Sequence, residues 1–111
     1  MNCFTTAARL LGVFIEETAG LAALRAYGIV FLSGGQSPED ATNHLNAMNA
    51  MGSHPWQLSF SYGRALQEPV LATWKGQESN TAAAQQAFFN RCRLNGLARE
   101  GAYSRVMEAA I

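Results

Sequence analysis

Lysine is almost absent from this sequence. Seven of the eight basic residues are arginine, and Lys75 is the single lysine among 111 residues. Chemistry that needs a lysine nucleophile must therefore use Lys75 or do without. Charge of either sign is also scarce. Charged residues make up 14% of the chain, against roughly 25% in an ordinary globular domain. The eight basic residues balance eight acidic ones, which excludes a chain whose work is coating nucleic acid or an anionic membrane. Such a balance favours self-association over high solubility. The two cysteines, Cys3 and Cys92, show no CxxC spacing, so they read as free thiols in a reducing compartment. No apolar run approaches the ~18–20 residues needed to span a bilayer. The longest N-terminal run, residues 10–15, contains Gly12 and is followed by Glu16 and Glu17. It is too short for a signal-peptide core, and the expectation is a cytoplasmic chain.

What the chain does have is apolar residues, 49% of it, too many for a disordered segment. Its length corresponds to one domain or part of one. Residues 1–27 carry a helical period through Leu11, Phe14, Ile15, Leu21 and Leu24, weakened by Gly12 and Gly20, and predict one or two loose helices without chemistry. Residues 28–32, GIVFL, are apolar on both faces and predict a strand buried on both sides, as in a parallel sheet. Ser37, Pro38 and Asp40 form a helix start. That helix runs to about Ala50 with Ala41, Leu45 and Met48 inward, and Gly52 to Pro55 stops it. A second strand follows over residues 56–62, with Leu58, Phe60 and Tyr62 alternating against polar neighbours. Residues 64–75 read as helical with a break or a fresh helix start at Pro69, ended by Gly76. Asn80 is placed to cap a last helix, roughly 81–98, with Ala84, Ala87, Phe88, Leu94 and Ala98 on its packing side and Gly101 as terminator.

The order strand, helix, strand, helix demands a crossover, and crossovers make parallel sheets. The fold class is therefore α/β and helix-rich. Two strands leave faces and edges uncovered, so the pattern predicts a piece of a larger α/β architecture. In such a pair the carboxyl ends lie side by side. One ends in Ser33-Gly34-Gly35 and the other in Ser61-Tyr62-Gly63-Arg64. Backbone amides around glycine make an anion nest. Arg64 offers a forked, permanent cation that matches a phosphate, and Ser33 and Ser61 add hydroxyl donors. Adjacent strand ends with helix N-termini behind them bind phosphate in (β/α)8 barrels. The alternative is that the glycines only serve turns and Arg64 pairs with an acid such as Glu68, its i+4 neighbour.

Other polar residues read as structural. His44 and His54 lack the close pairing and carboxylate of a metal site and are expected on a helix surface and in a turn. Glu39 and Asp40 complement the dipole of the helix start. Phe88-Phe89 is expected to be core, or surface shaped to meet further parts of a barrel.

Residues 28–37 (GIVFLSGGQS), 46–49 (NAMN) and 60–67 (FSYGRALQ) resemble class I fructose-bisphosphate aldolase, as do Trp74-Lys75-Gly76 and the segment 80–98. The likeness covers residues 28–103. It implies a C-terminal βαβα fragment, the last two βα units of a (β/α)8 TIM barrel. On this reading residues 1–27 are a segment unlike the family and residues 104–111 a short tail. It also implies a lyase of glycolysis and gluconeogenesis, which reversibly cleaves fructose 1,6-bisphosphate into two triose phosphates through a Schiff base on lysine. The implied ligand is a sugar phosphate, fructose 1,6-bisphosphate or dihydroxyacetone phosphate, held by Ser33, Gly34, Gly35, Ser61, Gly63 and Arg64. No cofactor, metal, nucleic acid or membrane is implied, and family members are homotetramers. The Schiff-base lysine and the acid/base carboxylate lie upstream of the matched stretch, and Lys75 corresponds to a helix end. The expectation is thus a phosphate-binding corner without catalytic residues. The alternative is a truncated product that binds phosphate weakly or only packs against other chains.

Overall fold

The computed structural model describes residues 28–54 and 56–109. The helices expected over residues 1–27, and Cys3, lie outside the described residues. Strand β1 (Gly28–Phe31) is followed by helix α1 (Pro38–Ala50), strand β2 (Gln57–Phe60) and helix α2 (Arg64–Trp74). A 3-10 turn (Glu78–Asn80) leads into helix α3 (Thr81–Arg99), and a second one (Arg105–Glu108) follows it. β1 and β2 pair in parallel, with Gly28 opposite Gln57 and Phe31 opposite Phe60. The Ser61 N–H extends the ladder by donating to the Phe31 carbonyl at 2.8 Å. α1 is the crossover that the sequence order demanded.

The start of α1 forms as its sequence dictates. Ser37 Oγ accepts from the Asp40 N–H at 3.1 Å, and Pro38 occupies the first turn, where its missing N–H costs nothing. Ala41, Leu45 and Met48 are all buried. Leu45, Met48, Trp56, Leu58, Leu94, Ala98 and Tyr103 form the core, and Ile29, Phe31 and Phe60 pack against it from the sheet. The period of two sends the intervening residues to the other face. Val30 is 62% exposed there and the following Leu32 76%. β1 is therefore not buried on both sides as expected, because among the described residues the core lies against one face of the sheet only.

Three further expectations are corrected. Pro69 lies inside α2 without breaking it. The ring removes one backbone donor, the one that would reach the Ala65 carbonyl, while packing against α3 holds the helix in register across the gap. The helix ends in left-handed backbone at Lys75 (φ 55°) and Gly76 (φ 70°). Asn80 does not cap α3. Its Nδ2 donates to the Trp74 carbonyl at 3.0 Å, and the preceding 3-10 turn supplies the backbone lead into the helix. At the other end the Gly101 N–H bonds to Ala98 O and the Ala102 N–H to Leu97 O, with Gly101 at φ 71°, so the expected glycine terminator is a Schellman cap.

The third correction concerns the packing face of α3. Ala84, Leu94 and Ala98 are buried as expected, but Phe88 is 45% exposed, and Asn90, Arg91 and Asn95 are buried instead. These polar groups are accommodated through hydrogen bonds, with Arg91 Nε alone lacking a partner among the described buried side-chain atoms. Thr42 Oγ1 lies 2.9 Å from both Pro38 O and Asn95 Oδ1, and it accepts from Arg91 Nη2. Asn95 Nδ2 donates to Arg91 O at 2.9 Å. Arg91 Nη2 also donates to Pro38 O at 3.0 Å, and Nη1 pairs with Glu108 at 2.7 Å. Tyr103 donates its hydroxyl to the other Glu108 oxygen at 2.7 Å. The segment after α3 is thereby fastened to α1 through Arg91.

Two ion pairs in this segment differ in environment. Arg91–Glu108 is largely buried, whereas Arg105–Asp40 is about half exposed on both sides. Removing one partner of a buried pair strands a charge and costs about 3–5 kcal/mol, while an exposed pair contributes about 0–1 kcal/mol. Glu108→Ala should therefore lower the urea midpoint far more than Arg105→Ala. Equal shifts would contradict this account of the network.

Candidate functional site: two glycine turns at one end of the sheet

Gly34 and Gly35 form the turn after β1. Their φ values are 59° and 80°, a left-handed pair that only glycine adopts without strain. The Gln36 N–H closes the turn on Ser33 O at 3.1 Å. A Cβ at either glycine would meet nothing within 4 Å, so glycine serves the backbone conformation there and the space above is open. Ser33 is buried beneath the turn.

The second turn follows β2. Ser61 and Gly63 are exposed and Tyr62 is buried. The Gly63 carbonyl accepts from the N–H groups of Leu66 and Gln67 at 3.1 and 3.0 Å, which starts α2 with Arg64 as its first residue. Arg64 is exposed. Among the described residues the ion pairs are Arg91–Glu108 and Arg105–Asp40, so Arg64 is not tied to Glu68. Tyr62 turns inward and donates its hydroxyl to the Ala41 carbonyl at 2.8 Å, with its ring tilted against that of Phe60 at a centroid distance of 5.5 Å. That bond joins the second turn to the helix that follows the first.

Because β1 and β2 are parallel neighbours, both turns lie at the same end of the pair. Ser33, Gly34, Gly35, Ser61, Gly63 and Arg64 are thus all brought to one end, Ser33 below and the others at the surface. The N-termini of α1 and α2 lie at this end too. Exposed amides, two helix N-termini and a guanidinium suit an oxyanion ligand.

His44 is not on the surface as expected. It is 8% exposed, and its Nδ1 is hydrogen-bonded to Gln36 Oε1. His54 bonds the Met48 carbonyl through Nε2 at 2.7 Å. Asp40 keeps a structural role, its carboxyl held below the usual range by the Arg105 guanidinium. No cluster of three or more metal-ligating side chains occurs among the described residues, nor any helix long and apolar enough to cross a membrane. Gln36 and Tyr62 were missed as supports of the turns. For Gln36 the available signal was its place directly after the glycine pair.

Residues 21–110 match the family profile for class-I fructose-bisphosphate aldolase, extending past both ends of the stretch 28–103. The chain belongs to the class-I fructose-bisphosphate aldolase family. It is 58% identical over 77 residues to fructose-bisphosphate aldolase B of Sparus aurata, covering 68% of this chain and 21% of that one. It is 60% identical over 76 residues to fructose-bisphosphate aldolase 1 of Toxoplasma gondii, with the same coverage of each chain. A solved fructose-bisphosphate aldolase from Plasmodium falciparum, crystallised with TRAP and a small-molecule inhibitor, superposes with a TM-score of 0.69 at 54% identity. That superposition covers 70% of this chain and 22% of the other. The chain therefore spans about a fifth of the length of these aldolases.

Burial raises the Tyr62 phenol to about 12, from 10 when free. The folded state then holds this proton more tightly than the unfolded state. The resulting stabilisation is complete below pH 10 and is lost as pH rises from there through about 12. Tyr103 is shifted in the same direction by burial and by Glu108. Tyr62→Phe should make the alkaline fall in stability shallower while Tyr103 still contributes. An unchanged slope in chemical denaturation between pH 9 and 11.5 would contradict this reading of Tyr62.

Proposed function

We propose that this chain is a phosphate-binding corner of a class I aldolase barrel and has no aldolase activity by itself. On this reading residues 28–103 are the last two βα units of a (β/α)8 barrel, with the family match running beyond them on both sides, from residue 21 to residue 110. The ligand is a sugar phosphate, fructose 1,6-bisphosphate or dihydroxyacetone phosphate. The amides of Gly34 and Gly35, the hydroxyls of Ser33 and Ser61, and the Arg64 guanidinium take its phosphate, and Gly63 lets the backbone close in. The whole family member would cleave fructose 1,6-bisphosphate reversibly into two triose phosphates, in the cytoplasm and as a homotetramer. The observation that carries the proposal is the convergence of both glycine turns on one end of a parallel pair.

The proposed inactivity has a geometric support. The Schiff base needs a lysine at the substrate ketone, and Lys75 is the one lysine in the chain. It follows the last residue of α2, whereas Arg64 is the first. Eleven helical residues at a rise of 1.5 Å each separate the two by about 16 Å along the axis. A lysine at the far end of the helix does not meet a ketone whose phosphate sits on Arg64. Phosphate binding alone does not replace the missing covalent step.

The purified chain should release no triose phosphate from fructose 1,6-bisphosphate above background in a coupled assay. Borohydride should trap no adduct with dihydroxyacetone phosphate. Turnover abolished by Lys75→Ala would overturn the proposal and make Lys75 a Schiff-base lysine.

A further inference from the structure

The side chain of Gln36 folds back onto the turn it follows. Its Nε2 donates to Ser33 O at 2.6 Å, the same oxygen on which its backbone N–H closes the turn. A carbonyl oxygen only accepts, which fixes the amide with Nε2 on Ser33 and Oε1 turned away. Oε1 meets Nδ1 of His44. An amide oxygen also only accepts, so Nδ1 carries a proton. His44 sits in the second turn of α1 and is buried. The result is a directed relay from the imidazole through the amide to the Ser33 carbonyl.

The turn needs such a restraint. Gly34 and Gly35 have no side chains to pack, both stand in left-handed backbone, and nothing crowds them. A glycine pair of this kind loses more conformational freedom on ordering than any other residues would. Two donors on Ser33 O fix its peptide plane, and with it the direction of the amides that follow. A ligand then meets a turn already ordered rather than one it must order itself.

We infer that Gln36 and His44 are positioning residues of the glycine turn, which touch no ligand and hold the Gly34 and Gly35 amides toward an oxyanion. The inference rests on the phosphate reading of this corner. It also accounts for a buried histidine and a glutamine side chain that the proposed phosphate contacts leave unused.

The test is a titration of the 15N-labelled full chain with inorganic phosphate, followed through the Gly34, Gly35 and Gly63 amides. His44→Leu removes the donor, whereas His44→Asn returns an N–H donor near the place of Nδ1. Gln36→Leu removes the middle of the relay. His44→Leu and Gln36→Leu should each weaken phosphate binding by about fivefold, the effect of one net hydrogen bond. The double variant should be little weaker than either, because the two act in series. His44→Asn should bind within about twofold of wild type. A merely structural role would give additive losses and no rescue by asparagine, and that result would overturn the inference. Arg64→Ala separates the two readings. Lost binding in Arg64→Ala with unchanged binding in His44→Leu keeps the phosphate corner and overturns the relay. No binding by the wild-type chain overturns the corner and the relay together.

Discussion

The parallel pairing of β1 with β2 is the constraint on which everything else here depends. An antiparallel pair would put the two glycine turns at opposite ends. The parallel register, Phe31 opposite Phe60, sets them side by side. The bond from the Ser61 amide to the Phe31 carbonyl carries the pairing up to the second turn. That arrangement requires α1 as a crossover, and α1 in turn supplies the shared foundation. Its Ala41 carbonyl receives Tyr62 from the second turn, and its His44 reaches Gln36 of the first. One helix therefore sets the spacing of both turns.

The two faces of the sheet have different fates. Ile29, Phe31, Leu58 and Phe60 face the helices and join the core, while Val30 and Leu32 stand in the open. Trp74 and Phe88 add exposed apolar surface on α2 and α3. On the proposed barrel reading, a chain spanning about a fifth of its relatives' length presents one half of each such contact. In the barrel reading, the open strand face is the one that further strands would cover.

Much of this was legible because its signals are local. Ser37, Pro38 and Asp40 mark a helix start within four residues, and Gly34-Gly35 and Gly63 mark turns by the backbone they permit. The alternation of Leu58, Phe60 and Tyr62 gave the buried face of β2 correctly. What escaped depends on partners far away in sequence. Asn95 and Arg91 look like surface residues of a helix until Thr42 and Pro38, some fifty residues earlier, supply their bonds. His44 reads as a surface residue because its acceptor belongs to a loop side chain. Pro69 reads as a break or a fresh helix start because local stereochemistry penalises it, whereas packing of α2 on α3 outweighs one lost hydrogen bond. Phe88 shows the converse error, since a helical period marks a residue as apolar without saying whether anything lies opposite.

The central claim is that the two glycine turns form one phosphate site. Amide spectra of the 15N-labelled chain, recorded with dihydroxyacetone phosphate and separately with unphosphorylated dihydroxyacetone, test it most directly. The account predicts saturable shifts at Gly34, Gly35, Gly63 and Arg64 with the phosphorylated sugar and none with the other. Equal responses to both, or shifts confined to one turn, would contradict it.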